Sequence, residues 1–65
     1  MKIVTVLKND KVIGRLPLDV ACDIEGWDYN TADFGLDFTA DFGDVSRESR
    51  TDENGNTVTM EWKVQ

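Results

Sequence analysis

Thirty-one consecutive residues, Leu16 to Ser46, contain eight carboxylates (Asp19, Asp23, Glu25, Asp28, Asp33, Asp37, Asp41 and Asp44) and no Lys or Arg. All seven basic residues fall outside this stretch. Any fold of the chain therefore holds a local charge of −8 against +2 from its flanks, a total of −6 over 65 residues. Like charges confined to a small body repel, so these side chains must be spread over its surface, and a surface of one sign is suited to a partner of the other. The core has to come from the remaining residues. A chain of this length buries only roughly 60% of the surface it exposes when unfolded, so it forms one domain, residues 1–65, that needs most of its Val, Ile, Phe and Trp side chains inside. Its apolar fraction of 40% separates it from disordered acidic tails, whose low hydrophobicity does not offset the entropy of ordering.

Composition closes several functional classes. With no His and a single Cys, the chain lacks a zinc pattern, a Cys/His nucleophile pair and an internal disulfide, and Cys22 is expected to be a small buried apolar residue. Asp41-Phe42-Gly43 spells the magnesium-binding tripeptide of protein kinases, but the glycine-rich loop, lysine strand and catalytic loop that accompany it are missing. Asp37, Asp41 and Asp44 do not follow the alternating ligand spacing of an EF-hand. Paired carboxylates acting as acid and base need a cleft that so small a sheet has little room to form. No enzymatic activity, metal or cofactor is expected. No run approaches the roughly 18 apolar residues of a membrane span, and the opening MKIVTVLKND has no secretory-signal pattern. The expected location is the cytoplasm.

Patterning predicts strands around a short helix. Ile3 to Leu7 is rich in β-branched residues, and Lys8-Asn9-Asp10-Lys11 before Val12 and Ile13 reads as a hairpin. Pro17 suits a helix start and Gly26 its end, with Leu18, Ala21, Cys22 and Ile24 as the buried stripe and Asp19 and Asp23 on the other side. From Phe34 to Phe42, Phe34, Leu36, Phe38, Ala40 and Phe42 alternate with Gly35, Asp37, Thr39, Asp41 and Gly43, which predicts a strand with one apolar and one acidic face. Val45 to Thr51 and Thr57 to Val64 follow as strands joined through Asn54-Gly55, with Val58, Met60, Trp62 and Val64 inward. The expected fold is α+β: an antiparallel sheet of about five strands (hairpin, short helix, three-strand meander) with the helix on its apolar face.

On such a strand Asp33, Asp37 and Asp41 form a row, each step of four residues spanning about 13 Å. Duplex DNA carries one charge per roughly 1.7 Å of axis, so the helix and loop acids must contribute if the segment is to imitate phosphates. Trp27 is expected in the core or at its margin, Tyr29 as a partner contact, and Trp62 in the core. A solvated face is the competing interpretation. A charge of this size is ordinary for a soluble small domain, and Arg47 or Arg50 on the neighbouring strand pairs with Asp37 or Asp41 under that view. Direct nucleic-acid binding is not expected, because the acidic stretch repels phosphates and the basic residues form no dense cluster.

In size, acidity, sheet-based fold and the base-free run from Leu16 to Ser46, the chain resembles small acidic phage and mobile-element inhibitors that act as DNA mimics. These include anti-CRISPR proteins, uracil-DNA glycosylase inhibitors and anti-restriction proteins. The resemblance implies a basic DNA-binding protein or CRISPR effector complex as partner, with the pocket that reads the protospacer-adjacent motif blocked sterically. It also implies that Glu25, Asp28, Asp33, Asp37, Asp41 and Asp44 carry the electrostatics and Tyr29 the packing. The alternative is a structural or regulatory interaction module, such as a phage assembly or immunity protein, that uses a sheet edge or apolar surface. A monomer or weak homodimer fits either, as the strand edges at Ile3 to Leu7 and Thr57 to Val64 carry no evident protection.

Overall fold

A computed structural model describes residues 1–40 and 43–63. The elements run β1 (Ile3–Lys8), β2 (Lys11–Pro17), α1 (Leu18–Glu25), α2 (Tyr29–Ala40), β3 (Val45–Thr51) and β4 (Thr57–Lys63). The four strands form one antiparallel sheet in the order β2-β1-β4-β3. Each hairpin is local in sequence, and the pairing of β1 with β4 joins the two halves of the chain.

Turn chemistry sets the hairpins. Asn9 and Asp10 both have positive φ, 50° and 68°, the two-residue type I′ arrangement that matches the twist of the flanking strands and that Asn and Asp tolerate. At the other tip Gly55 has φ 83°, and Asp52 Oδ1 accepts from the backbone N–H groups of Asn54 and Asn56, each at 2.9 Å. The tips are tied together. Asn9 N–H donates to Thr57 O at 2.8 Å, and Thr57 N–H donates to Asn9 Oδ1 at 3.0 Å.

Alternation along the strands places Val4, Val6, Val58 and Met60 on one face, where they are buried with Leu18, Ala21 and Cys22 of α1 and Ala32 and Leu36 of α2. Trp27, Trp62 and Leu16 pack against this core while partly buried, so the two Trp side chains occupy its margin. The helix after Pro17 forms as its sequence predicts and ends at Gly26 in the left-handed region, φ 75°. Its stripe is narrower than expected, because Ile24 is 65% exposed.

The main correction lies in the next segment. The predicted strand from Phe34 is helix α2, so the sheet has four strands and the meander reduces to the β3–β4 hairpin. Two strand repeats span four residues, close to one helical turn of 3.6, so alternating apolar residues also satisfy the helical pairings Phe34/Phe38 and Asp33/Asp37. Helix geometry wins because it buries Ala32 and Leu36 on the sheet and leaves Phe34 and Phe38 71% and 58% exposed. Gly35 faces β3, where the Glu48 carboxylate occupies the space that a Cβ would fill. Ser46, fully buried on β3, donates to Leu36 O at 2.6 Å and meets the Thr39 hydroxyl. The expected positions Asp41, Phe42 and Val64 lie outside the described residues. β1 and β4 are central strands, and the edges are β2 and β3.

Candidate functional site

The acidic stretch folds into the helical layer. Between Leu18 and Ala40 there are six carboxylates and no Lys or Arg, and α1, α2 and their connection carry all six, in the layer that packs on the sheet face of Val4, Val6, Val58 and Met60. The other, open face of the sheet holds Arg15, Arg47 and Lys63 around Glu61, and Arg47 pairs with Glu61 across β3 and β4. Three of the seven basic residues thus gather on the open face, while Lys2 and Arg50 reach the helical side.

Within the helical layer the carboxylates are held differently. Asp28 precedes α2 and caps it: its Oδ2 accepts from Thr31 N–H at 2.9 Å and Thr31 Oγ1 at 2.7 Å. These bonds hold its carboxyl below the usual aspartate range. Asp33 and Asp37 sit one turn apart on α2, about 6 Å of helix rise where a strand would separate them by about 13 Å. Both engage Lys2, whose Nζ lies 2.5 Å from Asp33 Oδ1 and 2.9 Å from Asp37 Oδ1 and also stands 4.6 Å from the centre of the Trp62 ring. Part of the charge of this pair is therefore neutralised within the molecule.

Asp19 and Asp23, also one turn apart, are exposed on α1. With Tyr29 and Trp27 they line a shallow depression of about 340 Å³ between α1 and the start of α2. Cys22 lies beneath, and burial pushes its thiol up, opposed by Arg50 and assisted by Asp28, Asp19 and Asp33. Trp27 is pinned from its other side by Arg50, whose guanidinium carbon stands 4.3 Å from the ring centre.

Of the residues proposed from sequence, Tyr29 and Asp28 lie at this depression or beside it, and Asp33 and Asp37 one and two turns further along α2. Glu25 is set apart at the end of α1, bordering a hollow next to β2. Asp44 is exposed in the turn before β3, and Asp41 lies outside the described residues. The expected pairing of Arg47 or Arg50 with Asp37 is replaced by Glu61, Trp27 and Lys2 as partners. Asp19 and Asp23, which were not among the residues proposed from sequence, line the depression, and their spacing of four on a predicted helix was the signal for bringing them together.

Comparison with protein-family models, with curated proteins and with solved structures gives no match. The function must be argued from this chain's own residues. Among the described residues no group of three or more metal-ligating side chains comes together, and no helix is long and apolar enough to cross a membrane.

Proposed function

We propose that this protein is an inhibitor that sets its acidic helical layer against the DNA-binding site of a basic protein and excludes DNA from it. The protospacer-adjacent-motif site of a CRISPR surveillance complex is the target that the resemblance to DNA-mimic inhibitors suggests. What supports this interpretation is the gathering of six carboxylates, uninterrupted by a basic residue in sequence, onto one helical layer. Lys2 offsets part of that charge and Arg50 reaches the margin. The helical spacing of Asp19/Asp23 and Asp33/Asp37 makes the surface charge denser than a strand would. A partner guanidinium entering beside Tyr29 would find carboxylate acceptors from Asp19 and Asp23 and aromatic faces from Tyr29 and Trp27. Long-range attraction would raise the association rate, and occupation of the site would block DNA sterically.

The test is a gel-shift assay in which guide-loaded CRISPR surveillance complexes bind target duplex in the presence of the protein. The wild type is expected to prevent duplex binding, with an inhibition that weakens as salt rises. A folded Asp19→Asn, Asp23→Asn, Asp37→Asn variant is expected to be at least about tenfold weaker, since each charge-assisted contact is replaced by a neutral one. Equal inhibition by the variant, or none by the wild type, would overturn the proposal and favour an interaction module with a merely solvated acidic face.

A further inference from the structure

The β2 edge carries an apolar surface that the acidic layer does not use. β2 ends the strand order, so one row of its backbone groups faces no other strand among the described residues. Its register against β1 steps from Val6↔Gly14 to Leu7↔Val12, which leaves Ile13 as the extra residue of a bulge. The bulge re-aims Ile13 to the helical side, where it lines a hollow of about 220 Å³ with Gly14, Leu16, Ala21 and Ile24. Ile13 and Ile24 are 56% and 65% exposed, so two branched apolar side chains stand beside a hollow on the same patch. Gly14 helps to keep the hollow open. Its φ is not in the left-handed region, and a Cβ built on it would meet nothing within 4 Å. Neither its backbone nor packing within one molecule calls for glycine there, and glycine inside a strand weakens it.

We propose that this patch is the interface of a two-fold homodimer in which Ile24 of each copy enters the hollow over Gly14 of the other. A two-fold interface presents the same residues from both sides, so it needs projection and hollow on one surface, which this patch has. Its border supplies both signs of charge. Glu25 borders the hollow and Lys11 lies two residues before Ile13 on the same strand, so opposite charges are available across the contact. The bulge at Ile13 and the missing N–H of Pro17 interrupt the outer ladder of β2, so side chains make the contact and assembly closes at two copies instead of extending a sheet.

Sedimentation equilibrium of the whole protein from about 10 μM to about 1 mM tests this, a range that covers weak to moderate association. The wild-type mass is expected to rise from one copy toward two. Gly14→Val, which fills the hollow with a residue favoured in strands, is expected to weaken association at least about tenfold while raising the melting temperature of the dilute monomer. Ile24→Lys is expected to weaken association equally with its circular dichroism unchanged, so the conclusion does not depend on one variant folding. A wild type that stays monomeric throughout, the result if a different partner covers the patch, would overturn the proposal. So would a dimer that survives both substitutions.

Discussion

At Lys2 three interactions meet on one ammonium group: two carboxylates of α2 and the Trp62 ring. Burial works against its charge, but hydrogen bonds and attraction from Asp33 and Asp37 outweigh that, and its pKa is raised above the ordinary lysine range. A raised folded-state pKa means that the contribution to stability is complete below the unfolded value, about 10.4, and is lost as pH rises through the folded one. Thermal melts taken from pH 8 upward are therefore expected to fall once the pH passes about 10.4. Lys2→Met is expected to remove much of that alkaline decline and to cost about 1 to 2 kcal/mol at pH 8, since both carboxylates keep some access to solvent. An unchanged alkaline limb in the variant would show that the decline belongs to other groups.

At the scale of elements, α2 depends on its first turn. Asp28→Ala removes the side-chain acceptor for Thr31 N–H, and far-ultraviolet circular dichroism is expected to show lower helicity and an earlier melt. Asp28→Asn, which keeps an acceptor, is expected to fall between the two. The Asp28 carboxyl is held low, so its stabilisation is present above the ordinary aspartate value of about 3.9 and is lost as pH falls below it. The difference between Asp28→Ala and wild type should therefore shrink in strong acid. This cap is also the point at which sequence reasoning went astray. Both hairpins and α1 were legible, because Asn9-Asp10, Asn54-Gly55, Pro17 and Gly26 have few alternative backbone roles. α2 was not, because placing every Phe inside favoured the alternation at Phe34 and Phe38, whereas Ala32 and Leu36 do the burying. Asp28 with Thr31 marked a helix start that the alternation obscured. The Asp33/Asp37 pair was legible under either period, but its engagement by Lys2 was not, since Lys2 and Asp33 are 31 residues apart in sequence.

For the whole molecule, the helical layer is acidic while Arg15, Arg47 and Lys63 gather on the open sheet face. Repulsion among the exposed helical carboxylates acts through solvent and is screened beyond about 8 Å at physiological ionic strength. The Lys2 contacts are direct and sheltered on the lysine side, with Lys2 only 15% exposed against 57% for Asp37, and are screened less. Repulsion should thus weaken more than attraction as salt is added, and the melting temperature is expected to rise between about 10 and about 150 mM salt. Calorimetry checks this, and a falling melting temperature would mean that ion pairs dominate. The sheet order has a consequence for how the chain is made. β1 lies between β2 and β4, and β4 begins about fifty residues after β1 ends. At bacterial and eukaryotic synthesis rates, roughly 3 to 10 s separate the two. Throughout that interval the nascent β1–β2 hairpin shows, besides the permanent edge of β2, the open edge of β1 and the apolar face of Val4 and Val6. Holding factors at the ribosome would therefore meet this chain through its first hairpin, and release would await the arrival of β4.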